Sequence, residues 1–88
     1  MSNGGAFSIS QHAVRRMMQR GVSLTHVART LRHPDRVEPD RDDPGLMHAV
    51  KRFHRPGGSS VLHVLYNHFA SPWRVVTVYW ERRTGRKP

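Results

Sequence analysis

His12 and Arg16 stand four residues apart in "HAVRRMMQRGVSLTHVARTL" (residues 12–31), a stretch whose apolar residues recur with helical spacing. On a helix that spacing makes them neighbours, with Arg20 one further turn along the same ridge. An imidazole can exchange a proton near neutral pH, and a guanidinium can grip a phosphate through a fork that lysine cannot copy. Metal-free RNA cleavage needs little more. A base takes the 2′-hydroxyl proton, cations stabilise the charge growing on phosphorus, and an acid protonates the leaving 5′-oxygen. An ordinary solvated basic face has the same composition, however, and so does a helix-turn-helix that reads DNA.

A second set of candidates lies in the C-terminal half, where residues 46–54, 61–69 and 73–82 are strand-like. Successive strand residues face opposite ways. In the first strand Met47, Ala49 and Phe53 oppose His48, Val50, Arg52 and His54. In the middle one Leu62, Val64 and Tyr66 oppose Val61, His63, Leu65 and Asn67. In the last, Val76, Val78 and Trp80 oppose Val75, Thr77, Tyr79 and Glu81. If the apolar sets meet the helices, His48, Arg52, His54, His63, Asn67, Thr77 and Tyr79 share one open, concave face.

The elements that must position these residues can be read from caps and breakers. Residues 1–7 read as a flexible leader and 83–88 as a basic tail, leaving a single domain over 8–82. Ser10 is the expected N-cap of a helix over 11–20 with an apolar arc of Ala13, Val14, Met17 and Met18. Gly21 suits the left-handed residue that ends it, and Val22 is placed to fold back on Met17 or Met18. Ser23 caps a second helix over 24–32, with Leu24, Val27, Ala28 and Leu31 as its stripe, stopped by His33-Pro34. "PDRVEPDRDDPG" is a loop with a short edge strand at 36–38, and "RPGGSS" and "ASP" are the breaks between strands. The expected fold is α+β: two N-terminal helices packed on a three- to four-stranded antiparallel sheet.

Composition narrows the function further. Fifteen Lys and Arg face six Asp and Glu, a net charge of +9, and five of the six acids lie between residues 35 and 43. Such a chain is drawn to polyanions, RNA or DNA first among them, or to an acidic partner protein. Apolar runs are too short to span a bilayer, no secretory signal is visible, and no cysteine is present, all consistent with a cytoplasmic protein. Metal hydrolysis is poorly served, because the carboxylates are bunched in one loop and no His-x-x-x-His pair stands beside a usable Glu. No serine-hydrolase or phosphate-loop pattern occurs, so no cofactor is implied. The DNA-reading alternative suffers because the second helix is short, ends at Pro34 and offers few base-reading side chains near its start. No third helix follows.

"HAVRRMMQRGV" (12–22) resembles the opening motif of the domain-of-unknown-function family 4258. "VVTVYW" (75–80) is similar to that family's closing strand, and "HPDRV" follows the second helix. The resemblance covers most of residues 7–82. It implies kinship with the barnase, colicin and RelE/BrnT group of small ribonuclease toxins, and hence a RelE-like domain. In that group a first helix carries basic residues and a later strand supplies a Ser, Thr or Tyr across the cleft, which here points to His12, Arg16, Arg20 and Thr77. The expectation is a metal-independent endoribonuclease, a toxin held by an acidic antitoxin or immunity protein. His12, Arg16 and Thr77 are its catalytic candidates. Arg20, His48, Arg52, His63 and Tyr79 are expected to bind substrate, with Arg74 adding a phosphate contact. The alternative is a non-catalytic module that binds DNA or RNA.

Overall fold

The computed structural model describes residues 6–81. In chain order the elements are β1 (Phe7–Ile9), α1 (Gln11–Arg20), α2 (Leu24–Arg32), β2 (Arg36–Pro39), β3 (Leu46–Arg55), β4 (Gly58–Asn67) and β5 (Trp73–Trp80). The α+β class stands, but the sheet is larger than expected and mixed. Five strands run in the order β1-β5-β4-β3-β2. The β2–β3, β3–β4 and β4–β5 pairs are antiparallel, while β1 lies parallel to β5, with Ile9 opposite Val75.

β1 therefore replaces the end of the expected leader. Phe7 and Ile9 pack against the core and Ser8 points away, the alternation of an edge strand with one buried side. Three residues are too few for periodicity to declare itself in the sequence. The chain then passes straight into α1. Ser10 N–H donates to the Val75 carbonyl, and its hydroxyl oxygen accepts from the Ala13 N–H at 3.0 Å. The expected basic tail at 83–88 lies outside the described residues.

Both helices end as their sequences predict. Gly21 takes the left-handed conformation (φ 65°), which a side chain would strain, and Val22 N–H donates to the Met17 carbonyl. Val22 is thereby turned into the core. Ser23 caps α2, where Val27 and Thr30 are buried, and the buried Thr30 hydroxyl donates to the His26 carbonyl at 2.8 Å. α1 lies on β5, while α2 lies on β4 and β3.

The orientation of α1 departs from the expected wheel. Only Ala13 is fully buried, Met17 is half-buried, and Val14 and Met18 are 44% and 80% exposed. The helix is rolled so that Arg20 meets the sheet instead. Arg20 Nη1 donates to the Val78 carbonyl at 2.8 Å, and Trp80 Nε1 donates to the Arg20 carbonyl at 2.8 Å. Both bonds tie the last turn of α1 to β5 in that orientation, a long-range constraint that the wheel does not contain.

The β3–β4 turn is tighter than "RPGGSS" suggested. Arg55 pairs with Gly58 across Pro56-Gly57, and Gly57 has φ 88°, the positive value that position requires. Ser59 and Ser60 are thus strand residues. The core between helices and sheet is built from Ala13, Val22, Val27, Ala49, Phe53, Leu62, Val64, Tyr66, Val75 and Val78. Each large aliphatic in it contributes about 1.5–3 kcal/mol by leaving water.

Val75 in that core corrects the face assignment of the last strand. The β4–β5 ladder shifts between Leu65, opposite Thr77, and Tyr66, opposite Val75, so Val76 is the extra residue of a β-bulge. An inserted residue resets the alternation. Val75 and Val78 both point to the helices, whereas Thr77 and Tyr79 point away.

Candidate active site on the open sheet face

The sheet has one face under the helices and one without them. Register makes two rows on the open one: Arg36 of β2, Val50 of β3, His63 of β4 and Tyr79 of β5, then Glu38, His48, Leu65 and Thr77. The strand-derived candidates do converge as the alternation predicted. Those from the helix do not join them. α1 packs through Ala13 into the same core as Val78, so the sheet itself separates His12, Arg16 and Arg20 from Thr77, His48, His63 and Tyr79. Thr77 is not on an opposite wall of a cleft shared with His12. A sequence yields the side of each element separately, but not which side of the sheet the helices cover.

At the middle of the open face two histidines meet edge to plane, His48 and His63, with ring centroids 6.2 Å apart and planes at 89°. Each is tied to a carboxylate. His48 Nε2 lies 2.7 Å from Asp40 Oδ1, and His63 Nε2 lies 2.9 Å from Glu81 Oε1. Asp40 is itself locked, because its other oxygen accepts the Asp42 and Asp43 N–H groups at 3.1 and 3.0 Å. The hydrogen bond to His48, followed by those two amides, holds the Asp40 carboxyl below its ordinary range. Asp40 is therefore ionised at neutral pH and accepts the His48 Nε2 proton. That fixes the His48 tautomer and leaves Nδ1 as the unprotonated ring nitrogen.

His63 is nearly buried, and the Tyr79 ring stacks on it at 4.6 Å with planes 9° apart. Its Nδ1 is also buried and has no hydrogen-bond partner. Burial, then the charges of Glu81, Glu38 and Asp40, push the Tyr79 phenol above its usual value. It stays a protonated hydrogen-bond donor. On the β2 edge, Arg36 Nε donates to Glu38 Oε2 at 2.9 Å, and that bond lowers the Glu38 carboxyl. Arg52 Nη1 donates to Ser59 Oγ at 3.0 Å while its own N–H donates to Asp35 Oδ2. Arg52 and His54 are exposed, and Arg74 is exposed at the far end of the face, opposite Asn67. Among the described residues no three His, Asp or Glu side chains converge as ligands of a metal ion would.

On the helix layer the expected ridge is present in different company. Arg16 Nε donates to His12 Nε2 at 3.4 Å and Arg16 Nη1 donates to Gln19 Oε1 at 3.1 Å. Among the described residues no carboxylate pairs with His12; its ring partner is Arg16. Asp40 and Glu81 are the functional candidates that sequence reasoning missed. Alternation puts Glu81 on the open face without indicating a role, and composition shows Asp40 only as part of an acidic loop. The signal for Asp40 was its position two residues beyond Glu38, on the same side of an edge strand paired with His48.

The fold and site define a small α+β domain with a helix-covered face and an open face centred on two carboxylate-paired histidines. By sequence the chain belongs to the domain-of-unknown-function family DUF4258, whose family model matches residues 9–80. No curated protein matches the chain. No solved structure matches it either. Among the described residues no helix is long and apolar enough to cross a membrane.

Proposed function

We propose that this domain is a metal-independent endoribonuclease whose reacting groups lie on the open sheet face. The observation that carries the reading is the His48–Asp40 pair. An imidazole is held in one tautomer by a locked carboxylate, beside a second histidine and a protonated tyrosine. His48 Nδ1 takes the 2′-hydroxyl proton, the 2′-oxygen attacks phosphorus, and the 5′-oxygen leaves with a proton from Tyr79. Arg52 and Thr77 contact the phosphate or ribose, and His63 with Glu81 positions the two reacting side chains. The kinship implied by the resemblance to ribonuclease toxins agrees with this chemistry. In that setting the protein works in the cytoplasm and an acidic antitoxin or immunity protein restrains it.

A second reading is favoured by a specific observation. Neither helix contains an acidic residue, and α1 and α2 present Arg15, Arg29 and Arg32 to solvent. The open face, by contrast, sets Glu38, Asp40 and Glu81 among its arginines. On that view the helix layer binds nucleic acid through phosphates and nothing is cleaved. One assay separates the two. Purified protein is incubated with single-stranded RNA, with and without EDTA, alongside His48→Ala and His12→Ala. The proposal expects cleavage that survives EDTA, falls on the order of 10² or more in His48→Ala, and stays within a few-fold in His12→Ala. Loss of activity with EDTA, or in His12→Ala but not His48→Ala, refutes it. Salt-sensitive binding without cleavage supports the second reading.

A further inference from the structure

Phe69 is 74% exposed, an aromatic ring left largely to solvent. It lies in the β4–β5 turn, two residues beyond Asn67, which is the cross-strand partner of Arg74. Its surroundings hold it in place. The Phe69 N–H donates to Asn67 Oδ1 at 2.9 Å. The neighbouring His68 is tied twice to the 43–45 loop, its N–H donating to the Gly45 carbonyl at 3.1 Å and its Nε2 lying 3.3 Å from the Pro44 carbonyl. The Phe69 ring tilts against the His68 ring, centroids 4.3 Å apart. It also lies over Gly45, where a Cβ would come within 3.4 Å of Phe69 Cδ2 and 3.3 Å of Asp43 Oδ1. A glycine there lets the ring rest on backbone. The ring is backed on one side and open to solvent over most of its area.

This platform follows the Asn67 end of the open face, since the Asn67 side chain holds the Phe69 N–H. Asn67 is two residues from Leu65, which pairs with His48 and Thr77, so it stands roughly 7 Å further along the strand. Arg74, in register with Asn67, puts an exposed cation at that end of the face. A backed aromatic ring at the same end of the sheet as an exposed arginine suits a base stacked on the ring, with a neighbouring phosphate on the guanidinium. Only an unpaired base offers its face.

We infer that Phe69, backed by His68 and Gly45, is a base-stacking platform that selects single-stranded RNA. The inference rests on the proposed RNA-binding role of the open face. The test uses a 2′-O-methylated RNA oligonucleotide carrying 2-aminopurine, which cannot be cleaved and whose fluorescence is quenched on stacking. Titration with the parent should quench it, and a fully paired duplex of the same sequence should bind more weakly. Phe69→Ala should weaken single-strand binding by about five- to a hundredfold, the span expected for one stacked base, while Phe69→Tyr keeps it. Circular dichroism checks that both variants fold, as the exposure of the ring predicts. Equal binding by Phe69→Ala and the parent overturns the platform and leaves the nuclease reading in place. So does light scattering that shows a dimer broken by Phe69→Ala, which would assign the ring to a second copy of the chain. No binding of the oligonucleotide by the parent removes the underlying reading as well.

Discussion

His26 makes a pH-dependent prediction whose sign can be worked from geometry. It occupies the third helical position of α2, where its backbone N–H donates to Ser23 Oγ at 3.1 Å and its Nδ1 accepts the Ser23 N–H at 3.1 Å. Nδ1 must be unprotonated to accept. The ring also meets Phe53 and Trp80 edge-on, at 4.9 and 5.3 Å. Burial, followed by the charges of Arg55 and Arg29, holds its pKa below the ordinary 6.5. The unfolded chain therefore binds the proton more readily than the folded one. Its contribution is present above pH 6.5 and is lost as pH falls below that value. Protonation removes one half of the capping box, worth about 0.5–1.5 kcal/mol, and because Ser23 is exposed the low end applies. With a urea dependence of about 1 kcal/mol per M for so small a domain, the unfolding midpoint should drop by about 0.5 M between pH 7.5 and 5.5. His26→Gln keeps an acceptor at the same position but cannot titrate, so it corrects for every other histidine. Urea curves of both proteins at both pH values are the assay. If the parent loses no more than His26→Gln on acidification, the reasoning fails.

Two further expectations concern the site and its support. Asp40→Asn removes the charge that orients His48 and should lower RNA cleavage by between about tenfold and 10⁴-fold, measured as single-turnover rates, with the unfolding midpoint nearly unchanged. Leu62→Ala empties a fully buried position of β4 in the core beneath the helix layer and should cost about 2–5 kcal/mol, read from urea unfolding.

Local signals carried the sequence reading a long way. Ser10, Gly21, Ser23 and His33-Pro34 set both helices because caps and breakers act within a turn or two of themselves. Alternation likewise sorted β3 and β4 correctly, down to His48 and His63 on one face. What failed was tertiary. The three residues of β1 carry too short a pattern, and the roll of α1 was decided by the Arg20 and Trp80 hydrogen bonds to residues about sixty positions away. The separation of His12 from Thr77 depended on which sheet face the helices cover, and no local pattern of residues 12–20 encodes that. The pairings of Asp40 with His48 and Glu81 with His63 span 8 and 18 residues, so they became visible only once the register was known.

The bulge at Val76 ties the core to the site. Without it, strict alternation from Val78 would send Val75 to the open face and leave the helix layer without one of its fully buried residues. With it, Val75 and Val78 are both buried, while Thr77 stays in the row of His48 and Leu65 and Tyr79 in the row of His63. The bulge is also anchored from the covered side. Ser10, the cap of α1, donates its N–H to the Val75 carbonyl and its hydroxyl to the Val76 carbonyl at 3.3 Å. The start of the first helix thus fixes the register of a strand whose opposite face carries Thr77 and Tyr79. In this way α1 shapes the open face from behind the sheet, through Ser10 and Ala13, although His12 and Arg16 never reach it.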